Sequence, residues 1–323
     1  MSASALVRGG AQSVVAHVRP AHPKLVGLAR SQVNPFRVIC PDGGKAMLER
    51  LTQGVRRSRL GGQIPLPPEE MRGLIGLPGA EDFIESARDP FPVALGVGAP
   101  GSVFDFGCGC GRLARHFMQL PQPPGHYLGV DLHLGLINWC RRNLTAWDPN
   151  FQFSHHDVAN EMFNPGAGKE RMARFAAGDA EFDFAVAWSV FTHLLEPETP
   201  FYLRELRRLL TVDGLLATTW FLFDKALFPM MQDFQNALFI NELSPSNAVI
   251  YDRQWMRDTA AEAGLTIVAA IPPEVRGFHW LIAFRPSGPG VFECPIPPDD
   301  SPIARRSSKS SPLLPQGAER IGL

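Results

Sequence analysis

A chain of 323 residues has room for one large domain with appendages or for two modest ones. Its 45% hydrophobic and 20% charged residues are those of a globular protein with a sizeable core, and 31 Lys and Arg against 32 Asp and Glu leave a net charge of −1. That balance excludes a global attraction to nucleic acid or anionic membrane; five scattered cysteines fit a reducing compartment, the cytoplasm, better than a disulfide framework.

In chain order, residues 1–60 read as an N-terminal extension with poor order. The stretch before Asp42 carries Arg8, Arg19, Lys24, Arg30 and Arg37 but no acid, and Pro20, Pro23 and Pro35 interrupt any long helix. Residues 61–100 form a Pro/Gly-rich cap segment with one helical piece, Glu81 to Ala87, whose Phe83, Ile84 and Ala87 share a face. From 101 to 285 strands and helices alternate. Ser102–Phe106 is a short apolar strand, Arg112–Leu120 a helix, and His126–Asp131 the second strand. Leu134, Ile137, Cys140, Arg141 and Leu144 have helical spacing, Phe151–His156 is a third strand, and Phe182–Trp188 a fourth, apolar enough to be covered on both faces. Pro200 suits the first turn of a helix lined by Leu203, Leu206 and Leu210, and Asp213-Gly214 turns the chain into a fifth strand, Leu215–Phe221.

There the rhythm breaks. Residues 222–249 are aromatic and methionine-rich, an insertion rather than a simple link. Asp252 caps a helix that ends at Gly264, and two strands, Leu265–Ile271 and Phe278–Phe284, then face each other across Pro272-Pro273. From Pro286 to 323 the chain turns to Pro, Ser and Arg and reads as a disordered tail. The expected fold is α/β and Rossmann-like: a mainly parallel sheet with an antiparallel last strand and helices on both faces. No run approaches the ~18 apolar residues of a transmembrane span.

The strongest motif is Val103-Phe-Asp-Phe-Gly-Cys-Gly-Cys-Gly-Arg112. Glycines at 107, 109 and 111 directly after a strand permit a tight turn into a helix and let a ligand lie on bare backbone. Two acids stand at matching strand ends: Asp131, where a carboxylate can accept both ribose hydroxyls, and Asp157, within reach of an adenine amino group. Asp105, inside the first strand, can attract an ammonium. Three carboxylates without a basic cluster suit a ligand with ribose, an amine and a sulfonium, and suit a pyrophosphate poorly. The glycines alone also satisfy a nicotinamide-binding fingerprint, since Gly109-x-Gly111-x-x-Ala114 is followed by Asp131 about 20 residues on. An NAD-binding oxidoreductase and a non-catalytic binding protein therefore stand as the alternatives.

These residues resemble the class I S-adenosylmethionine-dependent methyltransferases over roughly 101–285. Phe104 to Arg112 resembles the family's first motif, Tyr127-Leu-Gly-Val-Asp131 the second-strand motif and His156-Asp157-Val158 the third. Phe182 to Leu194 is similar to the fourth-strand motif, and Leu206 to Gly214 to the helix and turn before strand five, with Asp213-Gly214 where the family shows Pro-Gly or Gly-Gly. The resemblance implies a seven-stranded sheet and S-adenosyl-L-methionine as cofactor. It sets Asp131 on the ribose, Asp157 and Val158 around adenine, and Gly107, Gly109 and Gly111 under the methionine end, with Trp188 and Ser189 flanking the sulfonium and Asp105, Cys108 and Leu132 also among the cofactor-binding residues.

Such a cofactor activates its own methyl, so transfer by in-line displacement needs alignment, exclusion of water and removal of the acceptor's proton. His193, five residues past Trp188, is the candidate base. His155, His156 and His279 read as packing histidines, and Cys108-x-Cys110, without a second ligand pair, does not make a metal site. The fourth-strand tip reads Ala187-Trp-Ser-Val-Phe191 rather than Asn/Asp-Pro-Pro-aromatic, which argues against methylation of a flipped DNA base. A small-molecule acceptor is expected, enclosed by the cap segment and by Phe223, Phe228, Met230, Met231, Phe234, Leu238 and Phe239. The same apolar set also fits an amphipathic lid helix or a homodimer contact through 222–249.

Overall fold

The computed structural model describes residues 63–87, 100–165, 170–275 and 279–297. The N-terminal extension up to residue 62 and the tail from 298 lie outside them. The described part of the cap segment, residues 63–87, folds as two short helices, α1 (Glu69–Leu74) and α2 (Ala80–Ser86), and its residues 88–99 lie outside the described ones. Strand β1 (Ser102–Phe106) leads into α3 (Arg112–Met118), β2 (His126–Asp131) into α4 (Leu134–Cys140), which continues as a π turn over Arg141–Thr145, and β3 (Phe151–His155) follows. Next come β4 (Phe182–Ala187), α5 (Glu198–Leu209) and β5 (Leu210–Phe223). The insertion contributes β6 (Ala237–Phe239) and β7 (Val249–Asp252), and α6 (Arg253–Glu262), β8 (Leu265–Val275) and β9 (His279–Pro286) close the fold.

Seven strands make the expected sheet, in the order β3-β2-β1-β4-β5-β9-β8. All pairings from β3 to β5 are parallel, and β9 runs antiparallel between β5 and β8. The insertion adds two strands to this count: β7 pairs in parallel with the end of β5, at Phe221–Phe223, and β6 pairs with β7. Strand order reverses beside β1, so the crevice beyond the carboxyl ends of β1 and β4 is where a sheet of this kind receives a ligand.

Alternation along the strands fills two layers. Phe104 and Phe106 face Tyr202, Leu203, Leu206 and Met256 on the α5/α6 side. Val103, Phe184 and Val186 face Leu113, Phe117 and Ile137 on the α3/α4 side. Both faces are thus covered, which is why the central strands read as continuous apolar runs.

Several boundaries differ from the sequence reading for identifiable reasons. β5 begins at Leu210 rather than Leu215, because Phe182 pairs with Leu210 and Phe184 with Leu215. Residues 211–214 bulge from the ladder at the expected Asp213-Gly214 turn. α5 therefore ends at Leu209, and Leu209 joins Leu203 and Leu206 on its buried face. Residues 222–249 hold no α-helix: 222 and 223 belong to β5, and the rest forms β6, the start of β7 and two single 3-10 turns, Lys225–Leu227 and Pro245–Asn247. Residues 287–297, expected as the start of a disordered tail, are held against the domain. Cys294 N donates to Ile267 O at 2.8 Å, Arg257 pairs with Glu293 at 2.7 Å, and Arg253 reaches the Pro297 carbonyl. Among the described residues no helix is long and apolar enough to cross a membrane.

Candidate active site

The turn after β1 is built from left-handed glycines. Gly107, Gly109 and Gly111 have φ of +79°, +55° and +78°, a region costly for any residue with a Cβ. Gly107 and Cys108 donate their N–H groups to Val130 O on β2, at 2.7 and 3.1 Å, which folds the turn over the neighbouring strand. A Cβ at Gly111 would lie 2.3 Å from Leu144 Cδ1 and 3.3 Å from Cys140 Sγ, so the third glycine is what lets the turn seat against α4 and its π extension. The other two lie beneath apolar neighbours: a Cβ at Gly107 would meet Val190 at 2.5 Å, and one at Gly109 would meet Ile75 of the cap segment at 2.9 Å.

Asp131 closes this turn. Its Oδ2 accepts from Gly109 N and its Oδ1 from His133 N, both at 2.8 Å. Burial raises its carboxyl above the usual range against these two bonds. Leu132 follows, its carbonyl 2.8 Å from His155 Nε2, which ties the β2 tip to that of β3. Asp157, at the β3 tip, is exposed; Asn164 Nδ2 donates to its Oδ1 at 3.1 Å and to Val158 O at 3.0 Å, while the Val158 side chain is buried.

Asp105 is fully buried on the α3/α4 side of β1. Its Oδ2 accepts from the Tyr127 hydroxyl, and its Oδ1 has no hydrogen-bond partner. Burial pushes its carboxyl up to about 7, opposed by the Tyr127 bond and the Arg112 charge. Cys108 and Cys110 are buried thiols, both pushed up by desolvation, Cys110 to about 12. They serve as small apolar residues: Cys110 packs with Phe83 of the cap segment and Leu136.

At the β4 tip, Trp188 is buried under the Arg112 guanidinium, whose carbon lies 4.5 Å from the ring centroid. Ser189 is one of two non-glycine residues with positive φ among the described residues (+58°). Its N–H donates to Thr219 Oγ1 at 2.7 Å, and its Oγ lies 3.1 Å from Nε2 of the buried His279. A left-handed serine fixed from two strands is backbone strain of the sort that collects at functional sites.

Asp105, Asp131, Asp157 and the glycine turn thus occupy neighbouring carboxyl ends of β1, β2 and β3, with Trp188 and Ser189 on β4 beside them. His193, past the β4 tip, is tied to the insertion. Its Nδ1 lies 2.9 Å from Ser246 O in the insertion, and its ring meets Phe163 edge-on at 5.2 Å. A carbonyl only accepts, so Nδ1 carries the proton, and burial lowers the ring's affinity for a second one. His156 packs as expected, with Nε2 3.0 Å from the Tyr202 hydroxyl and its pKa lowered by burial to about 4.

Three supporting residues were given no role by the sequence reading. Tyr127 is one: a polar tip inside an apolar strand needs a buried partner. Arg112 is another, since a cation in the first turn of a helix opposes the helix dipole and must be held otherwise; besides Trp188 it bonds Ser86 O at 2.8 Å. Arg115 bonds Pro65 O and Ile64 O at 2.7 and 2.9 Å, clamping the cap segment onto α3. Away from the glycine turn, a groove of about 560 Å³ opens between the start of α5 and the insertion, lined by Leu195, Pro197, Pro200, Phe239 and Trp255.

Residues 103–214 match the model of a family described as a methyltransferase domain. Solved structures similar to the chain include an S-adenosylmethionine-dependent methyltransferase from Aquifex aeolicus (15% identity, 69% of this chain and 100% of that one, TM-score 0.43). A second is 1,6-didemethyltoxoflavin-N1-methyltransferase from Burkholderia thailandensis, with 20% identity, 69% and 92% coverage and a TM-score of 0.43. A third is a TehB-like S-adenosylmethionine-dependent methyltransferase from Corynebacterium glutamicum, with 18% identity, 62% and 87% coverage and a TM-score of 0.40. The family match decides between methyl and hydride transfer, which the glycine pattern alone leaves open: residues 103–214 of this chain are a methyltransferase domain.

Proposed function

We propose that this methyltransferase acts on a small-molecule acceptor, and that it holds its cofactor across the tips of β1 to β4. The observation that carries the assignment of residues is the buried Asp105 oxygen with no partner, beside a left-handed glycine turn and flanked by Asp131. An anionic, glycine-floored crevice suits a ligand bearing an ammonium and a sulfonium. When bound, that cofactor supplies a methyl group on a cationic sulfur.

In this reading Asp131 accepts from the ribose hydroxyls, using the lone pairs left by Gly109 and His133. Leu132, Asp157 and Val158 border the adenine, with Asn164 fixing the Asp157 carboxylate. Gly107, Cys108, Gly109 and Gly111 floor the methionine end, Asp105 takes its ammonium, and Trp188 and Ser189 wall the reactive side. His193 serves as base: with Nδ1 protonated, Nε2 keeps its lone pair near neutral pH. Net charge near zero supports a small acceptor over nucleic acid. The cap segment and the insertion, at the same end of the sheet, are its expected enclosure, and the exposed apolar residues of the insertion support a homodimer contact there.

Two variants test this. Asp131→Ala should weaken adenosylmethionine affinity about 100-fold, equivalent to ~2.7 kcal/mol, and abolish the thermal shift that the cofactor gives the native chain; undiminished affinity removes Asp131 from the site. Labelled methyl transfer into a metabolite extract should identify the acceptor. With it in hand, His193→Ala should leave cofactor affinity intact and collapse kcat, whereas unchanged turnover dismisses His193 as base.

A further inference from the structure

We propose that Tyr127 is a positioning residue for the cofactor: its hydroxyl, donated to Oδ2 of Asp105, favours the charged form of that carboxyl that an ammonium requires and leaves Oδ1 to receive it. The inference rests on Asp105 as the ammonium site. It adds a second residue, and a pH dependence, to that site.

The geometry is specific. Tyr127 lies on β2 beside Val103, one diagonal step from Asp105. Its ring is wedged in place, stacked on Phe151 at 4.9 Å and tilted on Phe153 at 5.8 Å, so the hydroxyl has little freedom to leave the carboxylate. Burial pushes the phenol well above its ordinary range, so it remains a donor at every pH the fold tolerates. The groups that bear on Asp105 come from three sides: Tyr127 and Asp131 on β2, Arg112 on α3, and the thiols of Cys108 and Cys140. Both thiols are neutral, and the Asp131 carboxylate opposes a second charge. That leaves the Tyr127 hydrogen bond and the Arg112 charge to favour the ionised form.

Without cofactor, Asp105 is about half protonated near pH 7. A bound ammonium prefers the carboxylate, so below that pH binding must expel the carboxyl proton into solvent. Affinity then falls as pH drops, by up to about tenfold per pH unit.

The test is isothermal titration of S-adenosylhomocysteine, which carries the ammonium, into the native chain, Tyr127→Phe and Asp105→Asn between pH 6 and 8. For the native chain, affinity should rise about tenfold across that range, and proton release, read from buffers of different ionisation enthalpy, should be greatest at pH 6. Tyr127→Phe keeps the ring and loses the bond, so its deficit should be about tenfold at pH 6 and shrink to about twofold at pH 8. A merely structural defect would cost the same factor at both. Asp105→Asn should bind weakly with no slope. A flat native profile, a slope that survives in Asp105→Asn, or a constant Tyr127→Phe deficit overturns the proposal while leaving the cofactor site in place. No binding at any pH overturns both.

Discussion

The turn after β1 and the insertion after β5 emerge from the same end of the sheet and are built on opposite terms. In the turn, the N–H groups of Gly107, Cys108 and Gly109 are spent on β2, and Gly111 is pressed against Leu144 and Cys140. In the insertion, Leu243, Phe234 and Met230 stand 96%, 77% and 73% exposed, joined by two single 3-10 turns and a three-residue strand. One region is fixed by bonds within the fold. The other packs Ala237 on the core and Phe228 on Phe223 but leaves much of its apolar surface exposed. A site that must align a cofactor needs the first kind of structure, and a surface that must accept something outside the chain needs the second.

The largest effect should come from Asp105, whose buried carboxyl keeps one oxygen without a hydrogen-bond partner beside this turn. Its carboxyl titrates near 7 in the folded chain against an ordinary value of 3.8. Between these values the native state binds more protons than the unfolded one, so stability falls as pH rises through this window and levels off above it. At about 1.4 kcal/mol per pH unit the group costs the cofactor-free fold about 4 kcal/mol by pH 8. Unfolding free energies from urea titration should therefore show Asp105→Asn gaining on the native chain by about that much from pH 4 to pH 8. The sign survives whatever constant cost the buried amide brings, and parallel profiles would mean that Asp105 stays ionised throughout.

Next in size is the third glycine. Gly111→Ala meets both a left-handed backbone, roughly 1–2 kcal/mol, and overpacking against the fully buried Leu144. A loss of about 2–4 kcal/mol in denaturant unfolding is expected, together with weaker cofactor binding as the turn lifts from α4. A loss below about 1 kcal/mol would mean that the turn is less rigidly seated than its contacts indicate.

The same contrast explains what could be read in advance. Strand alternation, the glycine turn, the Asp252 cap and the terminal hairpin are local patterns, each set by a few neighbouring residues, and they were legible. The slip at 211–214 was not, because it depends on how β5 registers against β4, a non-local pairing that no window of sequence contains. Tyr127 and Arg112 were missed for a like reason: their partners, Asp105 and Trp188, lie one strand or more away. Among the candidate residues, Asp131 was proposed from its place at the end of the second strand, and it accepts there from Gly109 N of the turn. His193 was proposed from proximity along the chain to Trp188, a weaker guide, and the fold ties its ring to Ser246. The docked run 287–297 misled through composition, since its hold comes from Cys294 and Glu293 meeting β8 and α6 rather than from any apolar period.

The smallest energetic effect should fall in the insertion, and there it is the more informative for being small. Replacing Met230, Phe234 and Leu243 together by serine removes exposed side chains that pack on little, so stability should change by no more than about 0.5 kcal/mol per site. If the insertion is a contact between two copies of the chain, the triple variant should sediment as a monomer where the native chain sediments as a dimer, with cofactor affinity unchanged. The short β6 edge, three residues long, offers too little backbone for strand pairing to carry such a contact, so the side chains must. A native chain that is monomeric at every concentration would instead leave the apolar set facing the acceptor. The triple variant should then raise KM for the acceptor while the urea midpoint stays where it was.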